Sequence, residues 1–268
     1  MSTIAYNVEE PIFKVENVCL NYDKPILKDI NFQISNITRP DVAQGQVTTL
    51  LGRSGIGKTQ LFKVLSGLTA PSSGNVLVGR ELQPVRAGEV GVVAQNYLLF
   101  NHRTVRKNLL LSLLNSGVTL TKEQITHTIE QYATEFSILE HLDKYPLQLS
   151  GGQRQRVSII QQILTGNKFI LLDEPFSGLD AIVKERVIAL LRRVSTLNEY
   201  NTMIVVSHDI ESSLAISDSI LVLAKPNENE GATIVQHIDL AQMGLAWIDA
   251  DPYERRLMYK DVIQSLQF

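Results

Sequence analysis

The sequence predicts an α/β fold: a mostly parallel β-sheet flanked by helices, organised around one glycine-rich loop and interrupted by a helical insertion. Three observations carry that prediction. Gly52-Arg53-Ser54-Gly55-Ile56-Gly57-Lys58-Thr59 stands between the β-branched, apolar run Val47–Leu51 and the helically spaced Leu61, Phe62, Leu65 and Leu68. Phe169-Ile170-Leu171-Leu172 is an uninterrupted apolar run, as in a central parallel strand covered on both faces. From about residue 98 to 165 helix signals replace strand signals.

The elements follow in order. Residues 1–10 are polar and predicted to be loosely held. Ile12–Leu20 alternates partly and Ile30–Ile34 strictly, so both read as strands, with Asn21-Tyr22-Asp23 as a turn between them. Ser35–Gly45 contains Asn, Pro, Asp and Gly and reads as a loop. After the glycine-rich loop a helix runs to near Gly67, Pro71–Gly74 turns, and Asn75–Val78 and Glu89–Ala94 are strands. Thr104 caps a helix through Leu114 that Gly117 ends. Thr121 with Gln124 has capping-box spacing, ahead of Ile125, Ile129, Tyr132 and Phe136 on one helical face. Ser150 and Gln153 repeat that spacing for a helix ending near Gly166. A helix from Ala181 to Leu197 and two apolar strands, Met203–Val206 and Ile220–Leu223, follow. Asp251-Pro252-Tyr253-Glu254 combines a cap, a first-turn proline and a capping-box acid, and starts a last helix carrying Leu257, Val262, Ile263 and Leu266.

The composition bounds the function. At 268 residues, with 44% hydrophobic and 20% charged residues, the chain has ample core for a soluble globular protein. A net charge of −3 gives no general reason to expect nucleic-acid binding. The single Cys19 rules out an internal disulfide and is expected to be a small buried apolar residue. No basic segment followed by an apolar run opens the chain, so no secretory leader is expected. No window offers the ~20 apolar residues that span a bilayer, so a membrane role would need another chain to supply the crossing.

The chemistry begins at the glycine-rich loop, which has the spacing of a phosphate loop: two glycines bracketing four residues, then Lys and Thr. Its glycines let successive N–H groups point at an anion, and the helix N-terminus adds partial positive charge. Lys58 would bridge outer phosphates and Thr59 would offer its hydroxyl to Mg²⁺. Asp173 and Glu174 end the Phe169–Leu172 strand, where open α/β sheets bind ligands. Beside a phosphate loop, Asp173 is assigned to the metal shell and Glu174 to the attacking water rather than to a solvated acidic pair. Gln95 also ends a strand; its amide oxygen could reach metal or water, although alone it reads as a turn glutamine. His208 follows Met203–Val206 and could bond a γ-phosphate, although alone it reads as a structural histidine. Ser150-Gly151-Gly152-Gln153 offers a hydroxyl and free N–H groups at a helix start, either an ordinary capped helix or a second anion site. Two half-sites held apart in one chain suggest a dimer with nucleotide between the copies.

Taken together and in this order, Gly52–Thr59, Gln95, Leu149-Ser150-Gly151-Gly152-Gln153, Ile170-Leu171-Leu172-Asp173-Glu174-Pro175, Ser177-Gly178-Leu179-Asp180 and His208 resemble the ATP-binding cassette ATPases, over roughly residues 12–225. The resemblance implies a phosphate-loop NTPase core with an N-terminal antiparallel β subdomain, a helical subdomain at about 98–165, and a short C-terminal extension over 226–268. It implies ATP and Mg²⁺, with the ATP molecules held head to tail between two ATPase subunits. Gly52, Arg53, Ser54, Gly55, Ile56, Gly57, Lys58, Thr59 and Gln60 would then cradle the phosphates, and Tyr22 would stack on adenine. Thr59, Gln95 and Asp173 would hold the metal. Glu174, Gln95 and His208 would be catalytic, and Ser150, Gly151, Gly152, Gln153 and Asp180 would meet the nucleotide across the dimer. The chain departs from the family pattern at Gln60, where a second Ser or Thr is usual. It departs again at Gln161 and Gln162, within Ser158–Leu164, and in the length of Ser35–Gly45.

One cassette without a membrane span looks like the separate ATPase of a bacterial small-solute importer, of the nitrate, sulfonate, taurine or amino-acid kind. The partners implied are a second ATPase subunit, an integral-membrane permease and a solute-binding protein, with the chain peripheral on the cytoplasmic face. Asn96–Phe100 and Thr104–Val105 resemble the permease-facing surface. The tail Leu240–Phe268, with Trp247, is expected to pack against the cassette. The alternatives are a soluble cassette ATPase of iron–sulfur cluster assembly and a nucleotide-binding regulator without turnover. Glu174 argues against the second.

Overall fold

The computed structural model describes residues 6–38, 44–197, 201–227, 229–248 and 250–266. Its central feature is a six-stranded sheet of β3 (Gln46–Gly52), β6 (Gly91–Val93), β7 (Phe169–Asp173), β8 (Thr202–Ser207), β9 (Ser219–Ala224) and β10 (Thr233–Asp239). The spatial order is β10-β9-β3-β8-β7-β6. All neighbours are parallel except β9 and β10. The apolar runs are explained by burial on both faces. In β7, Ile170 and Leu172 join one core cluster while Phe169 and Leu171 join another, and β8 divides Met203 and Val205 from Ile204 and Val206 in the same way. A strand with one wet face would alternate instead.

A second, antiparallel sheet has the order β2-β1-β4-β5, formed by β1 (Asn7–Asn21), β2 (Pro25–Thr38), β4 (Ser73–Val78) and β5 (Gln83–Pro84). Helix α1 (Lys58–Leu65) lies between the sheets, with Leu61, Phe62, Val64 and Leu65 buried among residues from both. Burying such side chains stabilises the fold by roughly 1.5–3 kcal/mol each. Leu68, grouped with them by spacing, lies past the helix end and is exposed.

The other face of the parallel sheet carries α2 (Val105–Leu114), α3 (Lys122–Glu135), α4 (Gly151–Leu164) and α5 (Ala181–Thr196), joined by 3₁₀ turns at Leu139–His141 and Pro146–Gln148. A third cluster joins Leu51, Leu214, Ile220 and Val222 to Tyr259 and Val262. It sits under α6 (Ile210–Ile216), α7 (Pro252–Met258) and α8 (Lys260–Ser265).

The structure corrects several expectations. The N-terminal segment is a strand from Asn7, because β2 continues to Thr38 and supplies the ladder partner Asn7↔Thr38. Ser35–Thr38, predicted as the start of a loop, therefore belongs to β2, and Asn36 is buried with its amide donating to Glu9 (2.8 Å). Residues 39–43 of that predicted loop, residues 1–5, and residues 267 and 268 of the tail lie outside the described residues. The strand read over Glu89–Ala94 is shorter, Gly91–Val93. Cys19 is half-buried rather than buried, with its Sγ accepting the Asp29 N–H at 3.3 Å. The last helix is two helices meeting at Tyr259, and Leu257 faces outward. The tail's Val262, Ile263 and Leu266 do pack on the sheet. β10, beyond residue 225, continues the sheet by pairing with β9.

Candidate functional site

The sheet order places four strand ends side by side. Along β3-β8-β7-β6, the glycine-rich loop follows β3, His208 follows β8, Asp173 and Glu174 end β7, and Gln95 lies just beyond β6. Parallel strands bring all their C-terminal ends to one edge, which is why residues far apart in sequence meet there.

Two glycines of the loop are structurally required. Gly57 caps α1 at φ 119°, a conformation closed to most side chains, and no side chain occupies the cap. A Cβ on Gly52 would stand 2.8 Å from the Leu223 carbonyl oxygen, inside contact distance. Lys58 is buried and donates to the carbonyls of Gly52 (2.9 Å) and Arg53 (3.1 Å). The same ammonium pairs with Oε1 of Glu174 at 3.1 Å. The other Glu174 oxygen, Oε2, accepts from Nδ1–H of His208 at 2.7 Å. Glu174 itself holds φ 51° while its N–H donates to Val206 (2.8 Å). A non-glycine residue in that region costs of order 1–3 kcal/mol, and such strain clusters at functional sites.

These groups open on a cavity of about 350 Å³ lined by Ser54, Gly55, Lys58, Thr59, Gln95 and Glu174, with Gly57, Gln60, Ser177 and His208 completing it. Asp173, one residue before Glu174, is buried, and its Oδ1 has no hydrogen-bond partner. Burial raises its pKa, the neighbouring Glu174 charge raises it further, and Lys58 opposes both. Tyr22 is exposed and donates from its hydroxyl to Oε1 of Gln60 (3.1 Å), which places it at the end of the loop.

Ser150–Gln153 is elsewhere and does not line the cavity. Ser150 Oγ accepts the Gln153 N–H (3.3 Å), Gln153 Oε1 accepts the Ser150 N–H (2.8 Å), and Gln153 Nε2 lies 2.7 Å from His141 Nε2. Gly151 and Gly152 have open space where a Cβ would be. Asp180 caps α5 through the Val183 N–H (2.9 Å). Sequence reasoning gave Ser177 no role of its own, and its signal was only its place after Asp-Glu-Pro. It also missed Lys184, which pairs with Asp209 beside His208.

A glycine-rich loop at the end of a central parallel strand, faced by groups from the neighbouring strand ends, defines a P-loop α/β protein. The family model described as ABC transporter matches residues 35–177, and the chain belongs to that family. Among curated relatives, the sulfate/thiosulfate import ATP-binding protein CysA of Thermosynechococcus vestitus is 35% identical over 212 residues, 78% of this chain and 62% of that protein. CysA of Gloeobacter violaceus is 35% identical over 229 residues, covering 84% and 63%. CysA of Neisseria meningitidis is 39% identical over 199 residues, covering 72% and 55%. The chain thus spans less than two thirds of each of these relatives. Among solved structures, cbiO1 from Clostridium perfringens, part of the ABC transporter complex cbiONQ, superposes with a TM-score of 0.73 at 25% identity, covering 96% of both chains. An ATP-binding cassette in a dimeric post-hydrolysis state with ADP and Pi gives a TM-score of 0.69 at 23% identity, over 85% of this chain and 99% of that one. That second likeness concerns the fold alone.

Proposed function

We propose that the chain is the ATP-binding and ATP-hydrolysing subunit that energises passage of a small solute through a separate permease. The single observation that carries the reading is the Glu174 carboxylate, held between the Lys58 ammonium and the His208 ring at the lip of the loop cavity. Nucleotide phosphates are the natural competitor for Lys58, since an ammonium surrounded by carbonyls at a helix N-terminus favours anions. Once Lys58 turns to phosphate, Glu174 is free to accept a proton from a water, with His208 fixing its second oxygen. Gly52, Arg53, Ser54, Gly55, Ile56, Gly57, Thr59 and Gln60 are assigned to the phosphates and Tyr22 to the adenine. Ser150, Gly151, Gly152, Gln153 and Asp180 are assigned to the nucleotide of a second subunit. The cassette is proposed as 12–225 with its helical part at about 98–165; within the 226–268 extension, β10 adds a strand to the central sheet.

The residues fit Mg²⁺. Asp173 supplies a buried oxygen without a partner, which a cation would correct. Among the described residues no group of three His, Cys, Asp or Glu forms a protein-only cage. One carboxylate with the Thr59 hydroxyl, the Gln95 amide oxygen and substrate phosphates suits magnesium, which takes few carboxylates. Bound there, the ion would neutralise charge on the phosphate oxygens.

Transport is favoured over a soluble role by the CysA relatives and by the surface after Gln95, where Leu98 is 70% and Phe100 47% exposed. Apolar side chains held outward suit docking on another protein. Among the described residues no helix is long and apolar enough to cross a membrane; the proposed permease and solute receptor are taken as separate chains. The solute class taken from the relatives is a small oxyanion such as sulfate. The test is Glu174→Gln with ATP and Mg²⁺: gel filtration should show an ATP-dependent dimer with turnover lost. A variant that stays monomeric at saturating ATP, or that hydrolyses at the wild-type rate, would sink the assignment.

A further inference from the structure

His208 stands between two cavities. One is the loop cavity; the other, of about 630 Å³, lies between α5, α6 and the C-terminal helices α7 and α8. The groups at that second cavity are paired across elements. Lys184 of α5 bonds Oδ2 of Asp209, Arg255 of α7 bonds Glu185 of α5, and Arg256 of α7 bonds Glu211 of α6. The first pair is the one next to the chemistry. Asp209 follows His208 directly and is fixed on three sides. Its N–H donates to Ser207 Oγ (3.0 Å), its Oδ1 caps α6 by accepting the Ser212 N–H (2.9 Å), and its Oδ2 takes the Lys184 ammonium. The pair is largely shielded, with side chains 31% and 16% exposed. Burial alone would raise the Asp209 carboxyl, but the bonds from Lys184 and Ser212 outweigh it and hold it below its ordinary value, so the carboxylate stays charged. At its other end, Lys184 is one helical turn from the cap of α5, with its N–H donating to the Asp180 carbonyl (2.9 Å).

We infer that Lys184 is a positioning residue for His208: by pairing Asp209 it ties the start of α5, and Asp180 with it, to the segment that holds His208 against Glu174. This rests on the proposed ATPase reading. It adds a residue that does not line the loop cavity and acts through Asp209. Among the described residues, His208 is anchored by the Glu174 carboxylate and by the backbone on either side, Ser207 at the end of β8 and Asp209. Releasing Asp209 on one side lets the ring drift. Misplacements of ~1 Å in an active site cost about 10²-fold in rate.

The test uses the full chain with Lys184→Met and Lys184→Arg. Lys184→Met should lower kcat for ATP hydrolysis by roughly ten- to a hundredfold while leaving KM for ATP close to wild type. Lys184→Arg, which keeps a cation in reach of Asp209, should recover most of the rate. Ring-nitrogen NMR of His208 without nucleotide gives an independent reading. The Nδ1–H signature of the bond to Glu174 should weaken in Lys184→Met and return in Lys184→Arg. A His208 signal unchanged in Lys184→Met overturns the inference whether or not the chain turns over ATP. So does a kcat equal to wild type, or a loss that arginine cannot recover. If the two variants show the expected NMR changes but the wild-type chain never hydrolyses ATP, the positioning role is supported and only the functional reading is broken.

Discussion

At the ends of β3, β7 and β8, polar side chains face one another across distant parts of the chain. At the start of α4, polar groups satisfy themselves within four residues. Lys58, Glu174 and His208 form one chain of contacts from three strand ends. Ser150 and Gln153 form a reciprocal box, with His141 close behind. The first arrangement depends on the whole sheet and holds a strained residue, Glu174 at φ 51°. The second depends on one helix end and holds none. Chemistry is therefore expected to concentrate in the first. The second should behave as a rigid platform whose functional effect appears only when another molecule meets it.

The contrast can be broken most sharply at Glu174. Glu174→Gln keeps the shape and a hydrogen-bond partner for Lys58 but removes the proposed base, so turnover should fall by ~10²–10⁴ with ATP binding retained. Next is Lys58→Ala, which removes a charged donor from phosphates. The loss of ~1.5–3 kcal/mol expected for such a bond should weaken ATP binding roughly ten- to a hundredfold by calorimetry. Unaltered binding would detach the loop from nucleotide.

Asp173→Asn sharpens the same side. Its raised pKa means the folded state holds its proton more tightly than the unfolded chain does. Its contribution to stability therefore falls as pH rises from the ordinary aspartate range through the raised value, and without a cation the cost is fully present only above that raised value. Asn removes that cost. The variant should melt higher than wild type near neutral pH in chelator, the gap should close in acid, and added Mg²⁺ with nucleotide should stabilise it less than wild type. A lower melting temperature in chelator at neutral pH would contradict the burial argument. The smallest effect belongs to the other region. Ser150→Ala should cost ~1 kcal/mol of stability, the value of a lost helix cap. It should leave the melting-temperature gain from ATP on the isolated subunit unchanged, since Ser150 does not line the loop cavity.

Much of this was legible because it is local. Two of the three predicted capping boxes, Thr121 with Gln124 and Ser150 with Gln153, form as spaced, since their partners lie three residues apart; at Asp251 the carboxylate takes the Tyr253 and Glu254 N–H groups, but Glu254 does not close the box. The phosphate loop was legible for the same reason. Helix α6 was missed because it is seven residues long and buried along most of its length, which leaves no polar face to give a period. β10 was missed because it is an edge strand on which Ile238 alone is buried. The N-terminal strand was read short because its polar residues are satisfied by a cross-strand partner, as in Asn36 to Glu9.

The sequence by itself determined which residues could grip phosphate, where the helices begin, and that the β7 and β8 segments must be covered on both faces. The tertiary structure alone decided that Glu174 would stand between Lys58 and His208, and that Lys184 would reach Asp209. The reason is that strand order is set by packing across the whole sheet. Only the order β3-β8-β7 brings those three ends side by side, and no local pattern of residues encodes which strand will lie next to which.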